Sequence, residues 1–124
     1  MKKKILAGLF LLVGATASAQ PKWPAINPVT KPWTRWWWPG SAVNAKDLTG
    51  NLEAYKAAGL GGVEITPIYG VAGYENEFID YLSPQWMRML DHTLSEGKRL
   101  NLGVDMATGT GWPFRGGPQV GAGD

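Results

Sequence analysis

The 124-residue chain contains no cysteine and only one histidine. No disulfide can form, and a zinc centre built from His and Cys ligands is excluded. Long apolar runs are missing too. The longest, Ile5 to Val13, falls well short of the roughly 20 residues that a permanent membrane span needs. No basic stripe points to nucleic acid, and there is no low-complexity tract or exact repeat. Gly109-Thr110-Gly111 runs into Trp112-Pro113-Phe114 rather than a third glycine at a helix start, which rules against a dinucleotide fingerprint. Ser41, Ser83 and Ser95 have no nucleophile-elbow context. The acidic residues between positions 68 and 81 lack the spacing of a calcium-binding helix-loop-helix.

What the chain has in quantity is glycine and tryptophan, 17 and 7 residues. Three of the tryptophans are consecutive, in Thr34-Arg35-Trp36-Trp37-Trp38-Pro39-Gly40. Side chains of an extended segment alternate between two faces, so the three rings cannot share one core. At least one must look the other way. A flat apolar ring with an N–H at its edge suits the C–H face and hydroxyl rim of a sugar.

The N-terminus reads as a secretory signal: Lys2, Lys3 and Lys4, the Ile5 to Val13 core, then Ala17-Ser18-Ala19 as a small-x-small cleavage site before Gln20. A periplasmic or secreted protein is expected. Removing residues 1–19 leaves nine basic and ten acidic side chains, so the formal charge moves from +2 to −1. The basic pI of about 9.0 therefore belongs to the signal. Residues 20–33 form a Pro-rich leader, in which Pro21, Pro24, Pro28 and Pro32 oppose both helix and central strand.

Beyond the leader, strand and helix alternate. Arg35 to Trp38 predicts a short strand stopped by Pro39-Gly40. Asn44 caps a helix with Asp47 in its first turn, carrying Leu48, Leu52 and Tyr55 at helical spacing and stopped by Gly59. Gly62 to Thr66 predicts a second strand ended by Pro67. Ser83-Pro84 opens a second helix with an apolar stripe of Trp86, Met87, Leu90 and Leu94, ending at Gly97. His92 falls on its solvated face. Leu100 to Met106 predicts a third strand. The pattern is that of parallel βα units, whose functional groups gather at the C-terminal ends of the strands.

Period-two reading separates the strand faces. Val63 and Ile65, like Leu102 and Val104, belong under the helices. Glu64 and Asp105 then share the opposite face, where a structural barrel core would favour aliphatic residues. Two carboxylates there imply a ligand, a cation or a basic partner, with Arg35 on the first strand as the simplest partner.

The segment from Pro32 to Val43, with Gly61-Gly62-Val63-Glu64-Ile65-Thr66-Pro67 and Gly103-Val104-Asp105-Met106-Ala107-Thr108-Gly109-Thr110-Gly111-Trp112-Pro113-Phe114, resembles three successive strand ends of glycoside hydrolase family 106, the α-L-rhamnosidases. The resemblance implies an α/β chain holding the first three βα units of an incomplete (β/α)8 TIM-type barrel, over residues 34–124. It implies an exported glycosidase that removes terminal α-L-rhamnose from plant polysaccharides with inversion, and a calcium ion in the sugar site. Trp37, Trp38, Glu64, Asp105, Thr108 and Trp112 are the candidate substrate-binding residues; the ligands of the calcium are not placed.

Inverting hydrolysis needs two carboxyl groups roughly 6.5–9.5 Å apart. In the family that pair is expected on later strands, so no catalytic residue is assigned and the chain alone is expected to be inactive. Arg115 and the tail from Val120 to Asp124 depart from the family pattern, as a truncated or frameshifted product would. The alternatives are a non-catalytic carbohydrate-binding fragment, using Trp37, Trp38 and Trp112 without chemistry, and an inactive remnant.

Overall fold

A computed structural model describes residues 21–110. The signal-like N-terminus, Trp112 and Arg115 lie outside the described residues. The order is β1 (Trp33–Pro39), α1 (Ala45–Ala57), β2 (Gly62–Ile68), α2 (Pro84–Leu100) and β3 (Gly103–Met106). The strands form one parallel sheet in the order β1-β2-β3, each helix linking neighbouring strands. Parallel neighbours require such crossovers. No described helix is long and apolar enough to cross a membrane.

The leader is less irregular than its prolines suggest. Asn27 caps a short 3-10 turn over Pro28–Thr30, with Thr30 bonding back to the Asn27 N–H in a capping box. The first strand begins earlier than expected, at Trp33. The indole of Trp33 lies across Gly62 and Gly103, its register neighbours, where a Cβ on either would strike the ring. Its N–H donates to Pro28 O at 2.9 Å, tying the leader to the sheet. These two glycines make room for a ring.

The second strand does not stop at Pro67 but continues to Ile68, paired with β1. The reason lies in backbone direction. Ile65 O accepts from Ala107 N at 2.9 Å, so Ile65 faces β3; Pro67, two residues on, faces the same side. There β3 has already passed its last rung at Ile65–Met106, and the missing N–H of Pro67 has no bond to lose.

Helix α1 follows the expected pattern. The Asn44 side chain accepts from Asp47 N, and Gly59 lies just past the end at φ +87. Helix α2 does not. It runs through Gly97 to Leu100 and ends at Asn101, in the left-handed region at φ 51. Gly97 is buried against β3, where a Cβ would come within 2.6 Å of Val104 Cγ2. It is a contact glycine, not a stop. β3 accordingly starts at Gly103 rather than Leu100. The buried stripe is also rotated: Trp86, Thr93 and Gly97 face inward, while Met87 and Leu94 are exposed.

The core lies between one face of the sheet and both helices. Trp36, Trp38, Val63 and Ile65 meet Leu48 and Leu52 of α1 and Trp86 of α2. The indoles pack edge-on, Trp38 against both Trp36 (5.7 Å) and Trp86 (6.0 Å), the arrangement their quadrupoles favour. Trp86 Nε1 donates to Ser41 Oγ at 3.1 Å.

His92 is not simply solvated. It is partly buried and bonds through Nε2 to Thr49 Oγ1 at 2.9 Å, joining the two helices. Beside it Arg99 bridges Glu96 of its own helix and Glu53 of α1, at 2.7 and 2.8 Å.

Candidate functional site

The strand period sorts the tryptophans. Trp36 and Trp38 point into the core, and Trp37 points out at 43% exposure. Trp38, expected to contact substrate, is instead wholly buried on the helix side of the sheet. Its face is set by its neighbours: Arg35 and Trp37 take the opposite side, and a charged residue drives that choice.

On that opposite face the register aligns one polar row. Arg35 pairs with Glu64, and Glu64 with Asp105, as direct partners across three strands. Residues in such a row point the same way. Arg35 Nε donates to Glu64 Oε2 at 3.1 Å, so the basic partner anticipated for these carboxylates is present for Glu64. The Arg35 guanidinium also lies 5.5 Å from the centre of the Trp37 ring. A half-exposed ion pair of this kind contributes about 0–1 kcal/mol to stability. What it does is fix orientation, holding a carboxylate and an aromatic face at once.

Asp105 is exposed at the end of β3, with Oδ1 accepting from Met106 N at 2.8 Å. Thr108 is exposed just beyond it. Trp37, Glu64, Asp105 and Thr108 are thus found on, or just past, the face and strand ends that the sequence indicated.

An open groove of about 470 Å³ lies beside Trp37, lined also by Pro39, Ile68 and Tyr69. Tyr69 was not among the expected site residues. Its signal was its place, directly after the end of β2, where parallel sheets collect functional groups. The following loop is well tied. Both Glu75 oxygens accept from Gly73 N at 3.0 Å, which holds the Glu75 carboxyl below the usual carboxylate range.

The row offers hydrogen-bond acceptors and the groove an aromatic platform, together suited to a sugar ring. Among the described residues no three His, Cys, Asp or Glu side chains come together. Glu64 is already engaged by Arg35, so the described residues do not fit a calcium site, which takes six to eight oxygens.

Residues 26–124 match the model of glycoside hydrolase family 106, described as alpha-L-rhamnosidase. A Formosa agariphila protein carrying a provisional β-glucuronidase name is 28% identical over 127 residues, covering 94% of this chain and 11% of that protein. The structure of a rhamnosidase from Novosphingobium sp. PP1Y superposes with a TM-score of 0.58 at 21% identity, over 68% of this chain and 8% of the other. At that identity the likeness is one of fold. The chain spans about a tenth of the length of these relatives.

Proposed function

This chain belongs to glycoside hydrolase family 106, the α-L-rhamnosidase family, and from that premise we propose that its sheet forms one arc of the sugar-binding cavity of an exported α-L-rhamnosidase. The observation that carries the reading is the asymmetry of the sheet. One face is packed under both helices, while the other bears the Arg35–Glu64–Asp105 row, with Trp37 two residues beyond Arg35 along β1. In a closed (β/α)8 barrel that second face would line the axis, with Trp37, Asp105 and Thr108 towards its functional end.

In this reading Trp37 stacks on the C–H face of a terminal rhamnose, and Asp105 and Glu64 accept hydrogen bonds from its hydroxyls. The acid and base of an inverting hydrolysis come from later strands, so the described residues bind and orient rather than cleave. A calcium ion in the sugar site would draw its oxygens from outside the described residues. The substrate class is rhamnose-bearing plant polysaccharide, and export follows cleavage after Ala19. N-terminal mass spectrometry should then find Gln20 first; an intact Met1 on a cytoplasmic protein would rule export out.

The central test uses the full-length protein. Trp37→Ala, Glu64→Gln and Asp105→Asn should each weaken rhamnose binding by calorimetric titration, by about 1–3 kcal/mol, with smaller effects on the thermal midpoint. Variants that melt early yet bind normally once folded would make these side chains structural and defeat the reading. Binding without any turnover of α-L-rhamnosides by the full-length protein would indicate a carbohydrate-binding protein instead.

A further inference from the structure

A second open groove, of about 260 Å³, is lined by Pro39, Ala42, Val71, Tyr74 and Phe78. We propose that it is a subsite for the neutral sugar ring to which the terminal rhamnose is joined. The proposal rests on the rhamnose-site reading above and extends it to the leaving side of the bond.

Adjacency comes first. The two grooves are neighbours that share Pro39 as a wall, with Trp37 and Tyr69 lining one and Tyr74 the other. Each groove carries an exposed tyrosine, Tyr69 at 58% and Tyr74 at 63%. An aromatic ring with a polar tip suits a partner that is apolar on its face and wet at its rim.

Second, the wall of the new groove is built to hold shape. The Phe78 ring is seated against Gly40 and Gly70, where any side chain would collide with it. Gly40 N donates to Ile68 O and Gly40 O accepts from Ile79 N, both at 3.0 Å, which stitches the loops after β1 and β2 together. Tyr74 N donates to Val71 O at 3.2 Å, and Phe78 N to Glu75 O at the same distance. Tyr74 is thus displayed on a fixed loop, and its ring is not needed to fill the core.

Third, size and charge choose the occupant. The groove lies just below the roughly 300–1,000 Å³ of sites for drug-sized ligands, and so suits a single ring. Among the described residues no cation lines it, and Glu75 and Glu77 are exposed on the same loop. Those carboxylates disfavour an acidic sugar and leave a neutral one.

The test compares two ligands on the full-length protein by calorimetric titration: free L-rhamnose, and a sulfur-linked rhamnosyl-glucose disaccharide that resists hydrolysis. Tyr74→Ala should weaken the disaccharide about tenfold, the order of one aromatic stacking contact, and leave rhamnose unchanged. Tyr74→Phe should keep disaccharide affinity within about twofold, because the ring remains. Trp37→Ala should weaken both ligands. Equal affinity of wild type and Tyr74→Ala for the disaccharide, or equal losses for both ligands, would overturn the subsite while leaving the rhamnose site standing. No binding of rhamnose by the wild-type protein would overturn the parent reading and the subsite with it. Thermal melts of both Tyr74 variants should match wild type, since the side chain is mostly in solvent.

Discussion

Arg35 bears on two neighbours at once, through a hydrogen bond to Glu64 and a ring contact with Trp37. Lysine would keep the charge but lose the planar face and the fixed donor geometry. Arg35→Lys should therefore lower rhamnose affinity several-fold while changing stability by no more than about 1 kcal/mol. A double-mutant cycle with Glu64→Gln, read by titration and by urea melts, checks this. Additive losses in affinity would mean that Arg35 does not act through Glu64. At this scale the sequence was legible in part. Alternation required one outward tryptophan, and Glu64 and Asp105 separated cleanly from their aliphatic neighbours. The error at Trp38 came from treating three adjacent rings as one feature. Arg35 already marks the odd-numbered face as polar, and that places Trp37 with it and Trp38 opposite.

Among the elements, helix α2 departs furthest from expectation, and the cause is tertiary. Glycine inside a helix costs about 1 kcal/mol in propensity, so it reads naturally as a stop. Here it admits β3, with Val104 against its Cα. Gly97→Ala should destabilise the fold by about 1–3 kcal/mol despite its better helix propensity. Denaturant melts of the full-length protein measure this, and a stabilised variant would show that the contact is loose. No local signal marks such a glycine, because the partner strand begins six residues later and its register is set by the sheet. The caps at Asn44 and Ser83 were legible, since each is fixed by a side chain reaching its own helix.

The helices are also joined by charge. The Glu96 carboxyl is held below its usual range, chiefly by its hydrogen bond from Arg99. A depressed folded value means that the contribution is complete above the ordinary carboxylate range and is lost as the pH falls through the folded value. The thermal midpoint should therefore decline on acidification below that range, and Glu96→Gln should flatten the decline. An identical pH profile in the variant would assign acid sensitivity to other carboxylates. Since Arg99 and Glu53 are exposed, added salt should shrink the effect.

For the whole molecule, alternating strand and helix signals led directly to a parallel sheet, because short connections through helices leave few other topologies. Closure was never written in these residues. It depends on what pairs with the outer edges of β1 and β3, and among the described residues nothing does. Each edge is a row of N–H and C=O groups ready to pair with another chain. Both helices lie on one face, leaving Trp33, Arg35, Trp37 and Asp105 at least partly in solvent on the other. A small domain has little stability to spare against that exposure, and without cysteine no disulfide adds to it. The 124-residue chain produced by itself should therefore aggregate or populate a loosely packed state. It should also show no turnover of aryl α-L-rhamnosides. Size-exclusion chromatography with a urea melt followed by tryptophan fluorescence is the check, since buried Trp36, Trp38 and Trp86 would report any cooperative loss of core. Broad, early changes are expected. A sharp monomer peak with one steep transition would show that three strands and two helices suffice as an independent domain, and that the open face is a finished surface rather than one awaiting further strands.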